Sequence, residues 1–336
     1  MQEIAAGKEV SRERMLAAAC RIGDHLCASA TGDGRGVNWI DIRPENQRFF
    51  TAAMPDLYDG NTGIILFLGY LGIITGNTRY SDMVESAYVT LYTRFQAQQQ
   101  AVGIESLGSA IYLLSHLGTI WNDYSLLSEA HRLVKRLPDL LQKDSALDLQ
   151  RELAGCILSL LSLYHAFPKA EILAMALMCG DHLLEKARPG KGEPTLKSST
   201  GEEPRAGTSH GSVGCSRSLF ALAASSGEER FHRLAVAMLA DERSILSPQT
   251  QPDLSRLASL YYLEHEEIRE ERVKGLILDS IDETDGWLDG ASSGSETPGW
   301  LTELAGIGSE LLRLAEPERV PAILLAAPPL TKTAQR

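Results

Sequence analysis

The sequence predicts an all-α fold in which pairs of helices repeat along the chain and form a ring. Most of the chain has apolar residues at helical spacing, strand signals are nearly absent, and one pattern recurs about every 46 residues. An open helical solenoid is the alternative arrangement. We favour a closed ring because Gly or Ser recurs at matching turns, as expected where the inner helices all start at one end of a barrel.

Each copy of the repeat has a small residue as its anchor, followed by leucines five and eight positions later. The two leucines share one helix face, and the small anchor lets the start of the helix approach its neighbours closely. A more polar helix follows, as over residues 78–96 and 122–137. Neither helix hides its apolar face alone, so consecutive pairs are expected to stack. The anchors are Gly63, Ser109, Gly155, Gly214, Gly306 and, in a weaker copy, Ser255.

The spacing of the anchors indicates one continuous array. Gly63 and Ser109 are 46 residues apart, as are Ser109 and Gly155. The next interval is 59 residues, because the polar segment at residues 188–209 adds a flexible surface loop. The interval from Gly214 to Gly306 is 92 residues, twice 46, and holds only the weak copy. We therefore expect a single domain over residues 1–336, with six to seven helix pairs and a degenerate, shortened region at residues 240–297.

The composition limits the classes of partner. The formal net charge of −12 opposes binding to nucleic acid and to anionic lipid surfaces. The most apolar run, at residues 63–75, is too short to span a bilayer, so no membrane insertion is expected. The N-terminus lacks the apolar segment of a secretory signal. Five cysteines without a CxxC motif favour free thiols in a cytoplasmic protein over a disulfide framework.

Five segments resemble, in this order, motifs of LanC-like proteins, and especially of the C-terminal cyclase domain of class II lanthionine synthetases. The order of all five carries the resemblance, since each motif alone is weak. The segments are LYDGNTGIILFLGYLG at residues 57–72, with Asn-Trp-Ile at 38–40 just ahead of it, GIESLGSAIYLLSHLGTIW at 103–121, DLQRELAGCILSLLSLY at 148–164, GTSHGSVG at 207–214, and PGWLTELAGIGSELLRLAEPERVPAILLAAPP at 298–329.

This resemblance implies an α/α toroid, usually of seven helix pairs, and a role in lanthipeptide biosynthesis. In the active family a zinc ion holds a cysteine of the peptide as its thiolate. The thiolate adds to a dehydroalanine or dehydrobutyrine, and a thioether ring closes. Zinc serves this step because a free thiol is mostly protonated at neutral pH. The implied partners are a precursor peptide and a lanthipeptide dehydratase.

The sequence departs from the family at the zinc ligands. Family members supply one Cys in a Trp-Cys-x-Gly motif and then an adjacent Cys-His pair, both after the His-Gly motif. Here no cysteine follows Cys215, and the first expected ligand site reads Thr250, Gln251, Pro252. His265 lies in the charged run EHEEIREER, which is typical of a solvated helix face. We therefore predict no metal ligand and no cofactor.

Five residues are candidates for a functional site. His210 matches the family histidine that handles a proton, and Asp148 matches an aspartate near it. The alternative interpretation of His210 is a polar turn residue, and that of Asp148 is a helix N-cap. Asp59, Glu105 and Arg151 stand four residues before their anchors, as His210 does. In a ring they would point to one mouth and contact substrate, and the plainer interpretation is turn capping and salt bridging.

Three functions remain open from the sequence. The first is a zinc-less, degenerate cyclase homologue that binds a precursor peptide or a partner modification enzyme. The second is an active lanthionine cyclase with an altered site. The third is carbohydrate cleavage by Asp59, Glu105 and Asp148, which an aromatic content of 6% disfavours because such sites need an aromatic-lined groove. The loss of one repeat within residues 240–297 favours the binding role.

Overall fold

The computed structural model describes residues 2–32, 36–42, 49–51, 56–57, 60–98, 102–143, 149–186, 212–243 and 300–330. Helices make up most of these ranges, which confirms the all-α prediction. The loop at 188–209, the Ser255 copy and nearly all of the shortened region at 240–297 lie outside the described residues. The helices are α1 (Gln2–Ser29), α2 (Asn61–Thr75), α3 (Thr78–Ala97), α4 (Ile104–Ile120), α5 (Tyr124–Val134), α6 (Leu137–Lys143), α7 (Leu149–Ala166), α8 (Ala170–Lys186), α9 (Ser212–Ser226), α10 (Glu229–Arg243) and α11 (Trp300–Ala315), and a 3₁₀ turn follows at Ile323–Leu325.

Short strands lie between α1 and α2. Strands β1 (Thr31–Gly32) and β2 (Val37–Asn38) pair antiparallel, with Thr31 opposite Asn38. Strands β3 (Ile40–Ile42) and β4 (Phe49–Thr51) form a second antiparallel pair. These ribbons are too small to form a core of their own, and the helices carry the packing.

The repeat pattern predicts the buried face of each inner helix. In the five copies that the structure describes, both leucines of every copy are buried, so the predicted helix face is confirmed. The polar helices predicted near residues 78–96 and 122–137 correspond to α3 and to α5 with the turn before α6. The leucines are Leu68, Leu71, Leu114, Leu117, Leu160, Leu163, Leu219, Leu222, Leu311 and Leu314.

Contacts along the chain divide it into two compact units. The first comprises Met1–Val102, His116–Tyr124 and Glu271–Arg336, and the second comprises Gly103–Ser115 and Ser125–Glu270. The two units are interleaved in sequence, because each contains part of α4. A single domain over the whole chain stays a prediction.

In the first unit, α2 is the central helix. It packs against α3 on one side and against α11 on another, while α1 packs on both α11 and α2. Gly308 of α11 lies so close to the ring of Phe67 that a Cβ atom at that glycine would be 2.5 Å from Cζ. The last described repeat helix therefore contacts the first, which a closed ring requires and an open solenoid lacks.

The segment around Trp39, ahead of α2, is hydrogen-bonded to both α1 and α3 in the first unit. The indole of Trp39 is 2% exposed, and its Nε1–H donates to the Leu26 carbonyl of α1 at 2.8 Å. The Val37 N–H donates to Thr90 Oγ1 of α3 at 3.0 Å. A buried indole needs such an acceptor, and these two hydrogen bonds hold the segment on α1 and α3.

In the second unit, α7 packs against both α8 and α9, and α9 packs against α10. The start of α4 approaches α7 at Gly108, where a Cβ atom would lie 3.3 Å from the Cα of Cys156. Gly180 of α8 similarly lies against the ring of Phe231 of α10 and the side chain of Leu222 of α9. Glycine allows these close approaches because it has no Cβ.

The anchor glycines do not all serve close packing. At Gly63 a Cβ atom would lie 2.7 Å from the Leu57 carbonyl oxygen, as the sequence pattern predicts. At Gly155 nothing lies within 4 Å, and the residue is exposed. The expectation of close approach is therefore wrong at Gly155. The neighbouring residue, Cys156, makes the contact instead.

Two alanine substitutions separate these environments. Gly308→Ala places a methyl group 2.5 Å from Cζ of the buried Phe67 ring and should cost about 1–3 kcal/mol through overpacking. Gly155→Ala meets open space in a helix interior and should stabilise the fold by up to about 1 kcal/mol. Urea unfolding of both variants measures the difference. Equal effects of the same sign would contradict the placement of α11 against α2.

Candidate functional site

The predicted site residues belong to the starts of the buried repeat helices. Glu105 lies in the first turn of α4 and is half-buried. Arg151 is the third residue of α7, and its side chain lies outside what the structure describes. Asp59, Asp148 and His210 also lie outside the described residues, just ahead of α2, α7 and α9. Their convergence on one mouth, and the carboxylate separation that carbohydrate cleavage would need, stay predictions.

Negative charge marks the starts of two of these helices. Glu105 stands in the first turn of α4 and Glu152 in the first turn of α7. A carboxylate there is stabilised by the positive end of the helix dipole, by about 0.3–1 kcal/mol at an exposed site. This placement agrees with the capping interpretation of Glu105, and it does not prevent Glu105 from contacting a ligand.

The described residues do not fit a zinc ion. Among them, no group of three or more His, Cys, Asp or Glu side chains is placed to hold a metal. Cys156 and Cys179 are buried in the second unit, and the hydrogen bond between their thiols, together with burial, raises the pKa of Cys156. A raised pKa keeps the thiol protonated, whereas a zinc ligand is a thiolate. Since residues 244–299 lie outside the described ranges, the absence of a metal site stays a prediction.

The remaining cysteines and the histidine of α10 do not fit a zinc ion either. All five cysteines are free thiols, and Cys215 is 3% exposed in the core. His232 of α10 faces Glu229, with 3.7 Å between Nδ1 and a carboxylate oxygen. Its ring packs edge-on against Phe220. One imidazole beside one carboxylate falls short of the three protein ligands of a catalytic zinc.

A buried polar pair in the first unit was missed by the sequence analysis. The hydroxyl of Tyr70 in α2 lies 2.8 Å from Nδ1 of His116 in α4, and the rings meet edge to face with centroids 5.9 Å apart. His116 also hydrogen-bonds the backbone of Ala327. Both side chains are buried. The pair thereby links two repeat helices to the segment after α11.

Burial sets the protonation state of this pair. It lowers the pKa of His116 to about 3 and raises the pKa of Tyr70 far above its usual value. The imidazole is therefore neutral at neutral pH. The Ala327 contact raises the pKa of His116, which identifies the ring as donor in that bond. Nδ1 is then left to accept the Tyr70 hydroxyl hydrogen.

The positions of these two residues within the sequence repeat indicate the pair. Tyr70 stands seven residues after anchor Gly63, and His116 stands seven residues after anchor Ser109. Both therefore occupy the same position of neighbouring repeats. Two polar groups at one position of adjacent buried helices predict a hydrogen bond between those helices.

The start of α2 differs from the starts of α4 and α7. Its N-cap, Gly60, provides no side-chain hydrogen bond, and no acidic residue stands in the first turn. Asn61 and Thr62 are 5% and 0% exposed. The Asn61 Nδ2 group donates to Oδ1 of Asn38. The buried Oγ1 of Thr62 has no hydrogen-bond partner among the described residues.

The sequence matches one family profile over the part of the chain that holds these helix starts. The family is described as lanthionine synthetase C-like protein, and the match covers residues 51–255, more than half of the 336-residue chain. The chain belongs to the lanthionine synthetase C-like family. The matched region includes the first four repeat anchors and His210, so the LanC-like resemblance of the sequence is confirmed. A comparison with curated proteins finds no match.

The LanC-like chain also shares its fold with solved structures of an alpha-1,6-mannanase from Salegentibacter sp. HEL1_6. An inactive variant in complex with alpha-1,6-mannotriose has 12% identity and a TM-score of 0.53, covering 93% of this chain and 99% of that one. A second inactive variant, with alpha-1,6-mannotetrose, has 11% identity, a TM-score of 0.54 and the same coverage. The mannanase structure itself has 14% identity and a TM-score of 0.52, again at 93% and 99% coverage. At these identities the likeness concerns the fold alone, and it confirms the α/α toroid as the fold class.

One further property of the described residues concerns membranes. None of the helices in the described ranges combines the length and the apolar character needed to cross a bilayer.

The Tyr70–His116 pair predicts a pH dependence of stability. The unfolded chain binds a proton at His116 below about pH 6.5, whereas the folded chain stays neutral there down to about pH 3. The contribution of His116 to the free energy of unfolding is therefore fully present above pH 6.5. It is lost as the pH falls from 6.5 to 3, by about 2 kcal/mol between pH 7 and pH 5. His116→Gln should flatten this part of the urea-unfolding profile.

The matched control is His232→Gln, on a side chain that is 51% exposed. It should leave the pH profile of the free energy of unfolding unchanged. A steep loss of stability below pH 6.5 that persists in His116→Gln would show that other groups cause it.

Proposed function

We propose that this LanC-like protein acts in lanthipeptide biosynthesis by binding a precursor peptide, or a partner modification enzyme such as the dehydratase, without closing thioether rings. The observation that carries the proposal is a family match over residues 51–255 in a chain with no cysteine after Cys215. The scaffold of the family is present, and the thiolates that would hold its zinc are missing.

The missing ligands remove the chemistry that ring closure depends on. A catalytic zinc is held by three protein ligands and keeps one position open for the substrate. The family takes two of its ligands from cysteines after the His-Gly motif, and residues 216–336 contain none. Without a metal, the thiol of a peptide stays mostly protonated at neutral pH. Binding of the peptide does not by itself deprotonate this thiol.

The remaining site residues suit recognition of a peptide. Under this proposal Asp59, Glu105 and Arg151 contact the peptide at the helix starts, with Glu105 half-buried in the first turn of α4. A net charge of −12 favours basic segments of a peptide or partner and accelerates their encounter. Five free thiols are consistent with a cytoplasmic protein, since that compartment keeps cysteines reduced.

An active cyclase with an altered site is the second candidate. His210 and Asp148 remain at the positions that match the family's proton-handling residues. In such an enzyme His210 would act as the general acid or base, and Asp148 would orient it. This function needs another way to favour the thiolate.

Metal analysis tests the proposal directly. The protein, purified after exposure to excess zinc and then desalted, should retain well below one equivalent by mass spectrometry of the metal. Cys156→Ser and Cys215→Ser should not alter that value, because both thiols lie in the core. One equivalent of tightly held zinc contradicts the zinc-less role.

Peptide binding and thiol chemistry separate the two candidates. The protein should bind a fluorescent dehydrated precursor peptide, with an affinity that falls as salt rises. It should not speed the loss of peptide thiols above the rate without protein. A faster loss that His210→Ala abolishes would establish the cyclase instead.

Glu105 offers a variant for the same binding measurement. Glu105→Gln should lower the affinity for the peptide by about three- to tenfold, because a half-buried charge contact contributes about 1 kcal/mol. The matched control is Glu129→Gln, which removes an ion pair with Arg132 within α5. Equal affinities for both variants would take Glu105 out of the binding surface.

A further inference from the structure

Three aromatic rings meet at the surface of the first unit. Tyr88 and Tyr92 of α3 stack with their ring centroids 5.6 Å apart and an interplanar angle of 22°. Trp121, which directly follows α4, meets Tyr88 edge to face with centroids 6.0 Å apart. All three residues are half-buried, so each keeps part of its area in contact with water. We call Tyr88, Tyr92 and Trp121 the aromatic surface.

The aromatic surface continues into exposed residues of α3. Val89 is 54% exposed, and Glu85 is exposed as well. Residues three and four positions apart share one side of a helix, so Glu85 and Val89 lie on the same side of α3 as Tyr88 and Tyr92. Packing of the rings on one another does not account for the exposed valine. An apolar patch with a charged group at its border is typical of a surface that binds a partner.

The charges around the aromatic surface favour a positively charged ligand. Glu85 stands one turn before Tyr88, and it forms no ion pair with any residue that the structure describes. Among the basic residues of α3, Arg79 is paired with Asp24, and Arg94 falls on the opposite side of the helix. The faces of Trp and Tyr rings attract cations. The net charge of −12 adds a longer-range attraction for basic partners.

The aromatic surface lies apart from the helix starts that hold the predicted site residues. Glu105 stands in the first turn of α4, whereas Trp121 directly follows the last residue of that helix. At 1.5 Å per residue, the two positions are about 24 Å apart along the helix. One side chain of a ligand therefore cannot touch both places.

We propose that the aromatic surface, together with Glu85 and Val89, is a docking site for a lysine or arginine side chain of a protein partner. The cation lies against the rings and is attracted by the Glu85 carboxylate, while its aliphatic stem covers Val89. The indole N–H of Trp121 donates to no described residue, and a backbone carbonyl of the partner can accept it. This contact is additional to the one proposed at the helix starts.

Fluorescence anisotropy of a labelled peptide tests the site in the full chain. The probe is a short peptide of alternating Lys and Ala, and a peptide of alternating Gln and Ala is the neutral reference. The wild type should bind the Lys peptide more tightly. Trp121→Leu keeps an apolar side chain but removes the ring, so the affinity should fall by about two- to fivefold. Trp121→Phe should retain part of the affinity, because a phenyl face attracts cations less strongly than an indole.

Glu85 gives the electrostatic half of the same test. Glu85→Gln should lower the affinity for the Lys peptide by about two- to fivefold and make the affinity less dependent on salt. The matched control is Glu171→Gln, which removes one exposed charge from the first turn of α8. At an ionic strength of about 0.1 M the Debye length is about 10 Å, so this control should leave the affinity nearly unchanged. An equal loss in both variants would mean that the net charge alone attracts the peptide, and it would overturn the site.

Tryptophan emission shows where the peptide binds. The Lys peptide should change the emission of the wild type, and the change should vanish in Trp121→Leu, since that variant lacks the one tryptophan of the aromatic surface. Tyr164→Leu, which removes a half-buried ring from α7, should leave the change intact. An emission change that persists in Trp121→Leu, or equal binding of the neutral peptide, contradicts the proposal. An equally large response to a neutral sugar such as maltotriose would also overturn it, because the rings would then be a sugar platform.

This test does not depend on the proposed function, because it uses no precursor peptide. If the Lys peptide binds through Trp121 and Glu85 while the precursor peptide does not bind, the docking site stands and the precursor-binding role is wrong. If the precursor peptide binds and the Trp121 and Glu85 variants bind the Lys peptide like the wild type, the docking site is wrong and the precursor-binding role stands.

Discussion

The packing of α11 on α2 is the contact on which the first unit depends. Most of α2 is buried, from Asn61 through Gly72 with the exception of Gly63, and a helix that is apolar on all sides must be covered by neighbours all round. Helix α3 covers one side and α11 another. The approach is close because Gly308 has no side chain where the ring of Phe67 lies. An open array would leave this face of α2 in water.

Periodicity predicted the buried faces well because burial in this fold follows the position of a residue within its repeat. The leucines after each described anchor are in the core for that reason. The partners of a residue depend instead on how neighbouring repeats align. Gly63 and Gly155 look alike in sequence, yet one lies against the Leu57 carbonyl and the other faces open space. The Tyr70–His116 bond arises from the same alignment, so hydropathy alone did not reveal it.

The candidate site was harder to predict, since chain order shows which residues precede a helix but not how they are arranged around a ligand. Glu105 is where the pattern placed it, in the first turn of α4. The polar group at the start of α2 was missed because Asn38, Asn61 and Thr62 resemble ordinary turn residues in sequence. Their burial and the unpartnered hydroxyl distinguish them. The family scaffold thus carries different charges in the first turns of its helices: α4 and α7 each have an acid there, and α2 has none.

The packing of α1 against α11 also constrains how the chain reaches its fold. Arg12 forms an ion pair with Glu316, 304 positions further along the chain. Within this chain α1 is therefore synthesised well before α11, and the contacts between these two helices form only afterwards. Contacts of such long sequence separation slow folding, because the entropy of loop closure is lost before the contact stabilises anything. Until α11 follows, α1 can pack only on elements such as α2 and α3, and the part of its apolar face that α11 covers is exposed to water and to chaperones.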